Sequence, residues 1–281
     1  MKVCRTLAVW LLAIAAGTQS AWAEPIIEVI PRTEVAFQPL NPLRGDSSPK
    51  AGVLWGDIKK NVASGAIIEF VDGFSSPPHI HNITYRAVVI SGMVHNDDPK
   101  AEKMWMAPGS FWTQPAGEIH ITSAKQGARA VAFLEIFQGP YLVRPAAQSF
   151  DNGERPVNLA KDNIVWLKTS DIKWLNTSPG AAQSEGAKVA FLWGDLNTRR
   201  QNGTFLKLPG GYSGKLLGND TWLRAVLIKG NLTHTSSAGA KDLGPGSYFA
   251  GKSNAEHTLA CKQGDECLIY VRTRGRYALA S

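Results

Sequence analysis

Apolar residues along the chain fall into short runs that glycine and proline interrupt. Ala66–Val71 (AIIEFV), Tyr85–Ile90 (YRAVVI) and Ala130–Phe137 (AVAFLEIF) are rich in β-branched and aromatic residues. Gly73, Pro77-Pro78, Gly92 and Pro108-Gly109 bound them. Short apolar runs closed by turn residues predict buried strands. Beyond residue 23 no long segment carries the 3.6-residue period of an amphipathic helix. The pattern predicts an all-β chain, a sandwich or barrel, with an α+β arrangement as the alternative.

One run differs. Leu7–Ala16 (LAVWLLAIAA) is continuously apolar, follows Lys2 and Arg5, and precedes Ala21-Trp22-Ala23. A short positive region, an apolar stretch and an A-x-A site together predict a signal peptide over residues 1–23. The mature chain would then start at Glu24, in a periplasmic or secreted location. An N-terminal anchor is the alternative, although the run is short for a bilayer span. No later run is long enough to span, so no stable membrane insertion is expected. Cys4 lies in the leader. Cys261 and Cys267 flank the turn-like Lys262–Glu266. In an oxidising compartment they are expected to form a disulfide, with two reduced thiols as the alternative.

The chain repeats itself. Leu54-Trp55-Gly56-Asp57 recurs as Leu192-Trp193-Gly194-Asp195, and Arg86-Ala87-Val88 as Arg224-Ala225-Val226, both at a shift of 138. Pro108-Gly109-Ser110 recurs as Pro245-Gly246-Ser247, and His120 as His257, at a shift of 137. Collinear matches at one spacing predict two homologous domains, 24–143 and 159–281. The polar, proline-containing stretch 144–158 reads as the linker.

Composition narrows the function classes. Of 281 residues 44% are apolar and 19% charged, which excludes a disordered chain. Removing Lys2 and Arg5 takes the formal charge from +7 to +5. The basic residues are scattered rather than clustered, so no nucleic-acid partner is expected.

The histidines carry the chemistry. His79 and His81 sit at i and i+2, on one face of a strand. His120 lies in a separate segment and would supply a third ligand from a neighbouring strand. Imidazoles suit Zn, Fe, Cu or Ni, so a divalent metal ion is the expected cofactor, with Mn also among the candidates.

These residues carry a resemblance. Gly73, five residues, His79-Ile80-His81 and later Gly92 follow the first motif of the cupin superfamily. Gly109, five residues, Pro115-Ala116-Gly117, two residues and His120 follow its second. The duplicated chain is similar to a bicupin, and more narrowly resembles bacterial anti-sigma-factor-like cupin domains, largely of unknown function. The resemblance implies two tandem jelly-roll (double-stranded β-helix) domains with a metal inside the barrel mouth. It also implies a small-molecule substrate or ligand, and homodimers through sheet edges. The motif's glutamate would fall at Tyr85 or Arg86, and its final asparagine at Ala124; neither is kept. Glu69 on a neighbouring strand replacing that ligand is the alternative to a three-histidine set.

Three-histidine cupins are similar to thiol, gentisate and diketone dioxygenases. The expected function is therefore a metal-dependent, dioxygenase-like oxidoreductase. A non-catalytic binding cupin, a Zn-type lyase, isomerase or hydrolase, and a relic storage protein are the alternatives. An exported location weighs against Fe(II). In the second unit the repeat sets Leu217 against His79 and Asn219 against His81, leaving His257 as a packed or surface residue. That unit reads as structural.

Further candidates carry two readings each. Tyr85 is a hydrogen-bond donor or fourth ligand, or an ordinary strand aromatic. Arg86, retained as Arg224, is an internal salt-bridge residue or a clamp for a substrate carboxylate. Trp105, Phe111 and Trp112 line a pocket or fill the core. Glu135 supports a metal histidine or does not. His95 reads as a loop residue and Glu118 as solvent-facing.

Overall fold

A computed structural model describes residues 26–175, 186–237 and 239–280. The expected leader, with Cys4 and its cleavage site, lies outside the described residues. Strands dominate, and the helical pieces are short 3-10 turns such as Arg32–Glu34. The all-β expectation therefore holds over the α+β alternative. Among the described residues no helix is long and apolar enough to cross a membrane.

Two seven-stranded antiparallel sheets form the centre. The first orders Val157–Leu159, Phe111–Gln114, Tyr85–Ser91, Val131–Ile136, Ser64–Glu69, Lys50–Trp55 and Phe37–Pro39. The second places the repeat-equivalent strands in the same order, from Ile26–Ile30 through Tyr248–Lys252 and Leu223–Lys229 to Leu167–Lys168. Smaller sheets close each barrel. On the first side these pair His79–His81 with Val143–Pro145, and Val94–Asp97 with Ile121–Ala124.

The edge strands are exchanged. Ile26–Ile30, at the start of the first repeat, pairs with Tyr248–Lys252 of the second. Val157–Leu159, at the start of the second, pairs with Phe111–Gln114 of the first. The contiguous units 24–143 and 159–281 follow the duplication, whereas the hydrogen bonding crosses between them. Each exchanged strand covers the unpaired backbone groups of a sheet edge.

Both faces of the first large sheet are buried, which explains its unbroken apolar runs. On Tyr85–Ser91, Tyr85, Ala87 and Val89 face the barrel interior, while Val88 and Ile90 face the opposite sheet. On Val131–Ile136, Ala132 and Leu134 face the barrel, and Phe133 meets Tyr270 at 5.3 Å between ring centroids. Phe133 and Tyr270 are repeat equivalents, as are Glu135 and Arg272, so these pairs straddle the pseudo-twofold axis.

Trp55 and Trp193 are repeat equivalents, at the ends of Lys50–Trp55 and Lys188–Gly194. Trp55 stacks on Tyr248 at 5.2 Å, and Trp193 donates from Nε1 to the Tyr270 hydroxyl at 2.8 Å. Both indoles lie across a strand glycine, Gly65 and Gly203, where a Cβ would collide with the ring. Leu206, Leu216, Leu223, Phe249, Ile269 and their neighbours fill the second barrel. Cys261 and Cys267 are joined as a disulfide with Cα atoms 5.9 Å apart.

Glu135 does not reach the metal histidines. It accepts from the Tyr270 hydroxyl at 2.6 Å and lies 3.4 Å from Arg272 Nε, with both side chains of the ion pair almost fully buried. Strand alternation sends Leu134 into the barrel and Glu135 to the interface. Glu135→Ala would strand the Arg272 charge, so it is expected to cost about 3–5 kcal/mol in urea unfolding. Adding Arg272→Met is expected to recover most of that loss; a double mutant no more stable than Glu135→Ala would show the pair is not coupled.

Candidate metal centre

The local sequence forces the histidines inward. On the three-residue strand His79–His81, the two imidazoles share a face and are buried. Pairing of His79 with His120 brings the third ring alongside. Ring centroids lie 4.2 Å apart for His79 and His120, and 5.2 Å for His81 and His120. One ligand nitrogen from each of the three falls within 4.8 Å of the others.

Backbone carbonyls fix the tautomers. His79 Nδ1 lies 2.9 Å from the Pro77 oxygen, His81 Nδ1 3.1 Å from Leu142, and His120 Nδ1 3.1 Å from Glu118. A carbonyl only accepts, so each Nδ1 carries the proton and donates. In a neutral ring Nε2 is then a bare lone pair. His79 Nε2 and His81 Nε2 face each other at 3.2 Å, and His120 Nε2 is buried without a hydrogen-bond partner. Two lone pairs at that distance repel unless a cation lies between them. A metal at about 2.1 Å from each imidazole needs this kind of spacing. The donor set therefore fits a divalent ion, and the carbonyls do the orienting.

Burial also keeps the rings neutral. It pushes His120 down to about 3, helped by His79, and holds His81 well below its usual value. His79 is lowered for the same reason, against its bond to Pro77.

The other candidates separate by strand parity. Tyr85, at the motif's glutamate position, faces the cavity with its ring 5.1 Å from His81. Its hydroxyl donates to Asn96 Oδ1 at 2.8 Å, and burial raises its pKa to about 12. Asn96 also accepts from Thr122 and donates to Gln114, both within 2.8 Å. Tyr85 thus belongs to a neutral hydrogen-bonded network beside the histidines. Arg86 points the other way: its guanidinium lies 4.0 Å over the Trp193 ring, so it cannot clamp a substrate at the metal. Glu69 is not a replacement ligand. Ile68 lines the cavity, so Glu69 turns outward and bonds Arg32 at 2.6 Å.

A cavity of about 680 Å³ opens from this cluster. Phe70, Phe74, Trp112, Ile68 and Leu134 supply apolar wall, and Arg44 and Lys59 are its cationic members. Among the described residues no aspartate or glutamate lines it. Trp112 fulfils the pocket expectation. Phe111 packs between the sheets, and Trp105 is half-buried with its ring centroid 6.2 Å from that of His95. His95 is a buried strand residue, not a loop one. Glu118 is half-buried and contributes its backbone oxygen to His120.

Sequence reasoning missed Tyr141. Its ring stacks on His81 at 4.3 Å, and its hydroxyl donates to His81 Nε2 at 3.2 Å. Burial raises its pKa well above normal, so it is a neutral donor. It lies past the last apolar run, after Gly139-Pro140, where no spacing marks it.

The second barrel lacks the site. The register sets Leu216 opposite His257 as His79 stands opposite His120. The counterparts of His79 and His81 are therefore Leu216 and Gly218, one residue from the Leu217 and Asn219 that the repeat spacing gives. His257 is buried and paired with His234, Nδ1 to Nε2 at 2.8 Å. Ile269 stands where the first barrel has Ala132, which fills the space that the cavity occupies on the other side.

The sequence matches the family described as Domain of unknown function (DUF4437) over residues 28–280. No curated protein matches. Among solved structures, a putative dioxygenase from Nostoc punctiforme is 14% identical with a TM-score of 0.59, covering 89% of this chain and 80% of its own. Protein YlbA from E. coli, of family DUF861, is 11% identical with a TM-score of 0.60, covering 89% and 92%. The oxalate decarboxylase of Lactobacillus farciminis, solved with formate, is 9% identical with a TM-score of 0.55, covering 91% and 88%. At these identities the likeness is one of fold.

The lowered histidine pKa values predict a pH dependence. An unfolded histidine takes up a proton near pH 6.5, whereas folded His120 does so only near about 3. His234 and His257 are lowered to about 4 and about 3. Between those limits the unfolded chain binds more protons, so stability rises with pH. It is fully present above about pH 6.5 and lost as the pH falls toward 3. The urea midpoint of metal-free protein is expected to drop steadily between about pH 7 and 4; a flat profile would contradict neutral buried imidazoles.

Proposed function

The chain belongs to the DUF4437 family, and on that premise we propose that it is an exported, metal-dependent cupin oxidoreductase of dioxygenase type. Its substrate is a small organic molecule with an apolar or aromatic body and an anionic head. The observation that carries this reading is the set of three convergent Nε2 lone pairs at an apolar cavity.

His79, His81 and His120 would hold the ion through Nε2. A divalent metal would supply Lewis acidity to a bound oxyanion and, if redox-active, one-electron chemistry. The residues do the rest. Three neutral imidazoles leave the ion's charge uncompensated, and the cavity contains no carboxylate, so an anionic group is drawn inward. Arg44 and Lys59 add to that attraction. Phe70, Phe74 and Trp112 exclude water and bind an apolar body. Tyr141 can turn its O–H from His81 to a substrate oxygen, and Tyr85 with Asn96 and Gln114 braces the wall.

One observation favours a binding module instead: burial keeps the histidines neutral and holds the Tyr85 and Tyr141 hydroxyls protonated, so the cavity offers little acid or base of its own. Elemental analysis is expected to find metal in the wild type and Glu69→Gln but not in His79→Ala/His81→Ala. Oxygen uptake with aromatic acids, diketones and thiols is expected in the first two alone. Equal metal in all three would refute the site. A metal-loaded protein inert across the panel would favour capture without turnover.

Export rests on the leader pattern alone. In a bacterial host the mature protein is expected to begin at Glu24, as N-terminal sequencing would read; an intact Met1 terminus on soluble cytoplasmic protein would overturn it.

A further inference from the structure

A second cleft, of about 530 Å³, lies on the other side of the sheet from the metal cavity. Three arginines line it: Arg86 from the first repeat, and Arg200 and Arg274 from the second. Among the described residues none of them has a carboxylate partner. Neighbouring basic residues are already engaged, Arg199 with Asp220, Arg276 with Asn197, and Arg272 with Glu135 and Gln201. Glu154 is the cleft's one acidic residue, and it is held by Thr84 and by Asn152 Nδ2.

The duplication supplies an internal control. Arg224, the counterpart of Arg86, is enclosed. It lies between the Trp55 and Trp222 rings at 5.5 and 4.8 Å, and it neighbours Tyr248, whose hydroxyl donates to Glu28. Three of these four partners are missing around Arg86. Trp222 is replaced by Thr84, Tyr248 by Phe111, and Glu28 by Val157 on the exchanged strand. Arg86 keeps one tryptophan face, Trp193, which fixes the plane of its guanidinium. Its Nε is buried with no hydrogen-bond partner, as is that of Arg224, so the contrast lies in the open cleft and not in this atom. The repeat that fills this position has a ring and a carboxylate there; the repeat that leaves it open gathers two further arginines.

We propose that this cleft binds a small oxyanion, a carboxylate or a phosphate. The Arg86 fork is pre-oriented by Trp193, Arg200 and Arg274 close from the solvent side, and Gln138 and Gln201 lie at the wall. Planar guanidinium groups match carboxylate and phosphate oxygens in this way. Trp193, Phe137 and Ile83 give an apolar surface for the rest of the ligand. The site is independent of the metal, since Tyr85 and Arg86 sit on opposite faces of one strand.

Calorimetry of metal-free, full-length protein at low ionic strength tests it, with succinate and inorganic phosphate as probes and succinamide as the uncharged control. One-to-one binding is expected for at least one anion and absent for succinamide, and the tighter anion identifies the ligand chemistry. Arg200 and Arg274 are exposed, so Arg200→Gln/Arg274→Gln should fold normally and weaken binding roughly tenfold or more. His79→Ala/His81→Ala should bind the anion as the wild type does. No binding by the wild type, equal binding by the arginine double variant, or loss only in the histidine variant would each overturn the proposal.

Discussion

The contact of Phe133 with Tyr270, with the Glu135–Arg272 pair beside it, holds two sheets face to face across a pseudo-twofold axis. Nearly everything else depends on the burial this imposes. A sheet covered on both faces assigns every residue of its strands to one of two interiors. Odd and even positions thus acquire different chemistry. Tyr85 looks toward the metal cluster and Arg86 toward the other repeat. Leu134 lines the cavity, while Glu135 joins the interface. Ile68 faces inward, and Glu69 turns to Arg32.

Within the barrel, the histidine cluster illustrates how backbone geometry prepares a site. Three carbonyls take the Nδ1 protons, and burial resists any further protonation. What remains is a group of lone pairs too close together to be comfortable without a cation. Such a site costs stability in its metal-free form and regains it on binding. The surrounding network of Tyr85, Asn96, Gln114 and Thr122 is fully neutral, so it offers orientation rather than charge. The exchanged strand braces it, because Asn158 donates to the Asn96 carbonyl at 2.9 Å.

The two repeats show divergence under a shared architecture. The second barrel exchanged its metal histidines for Leu216 and Gly218 and packed its interior with larger side chains. The first kept Ala132 and an open cavity. On the far side of the sheets the bias runs in reverse. There Arg224 lies between the Trp55 and Trp222 rings, while Arg86 faces a cleft. Each half therefore keeps closed what the other keeps open, and the exchanged strands tie the halves into one hydrogen-bonded unit.

Strand character, the duplication and the three histidines were legible along the chain, because each rests on local periodicity or fixed spacing. The spacing His79-x-His81 determined that two imidazoles share a face, and the second motif, from Gly109 through Pro115-Ala116-Gly117 to His120, located the third. Which of Tyr85 and Arg86 faced the metal was not legible, because alternation gives two faces without saying which is which. Tyr141, the pairing of His234 with His257, and the crossing of Ile26–Ile30 into the other sheet were equally hidden. They depend on contacts between segments tens or hundreds of residues apart, and such contacts leave no periodic trace. The sequence by itself determined the repeating unit and its ligand set; only the packing of one sheet on another decided which side chains would meet them.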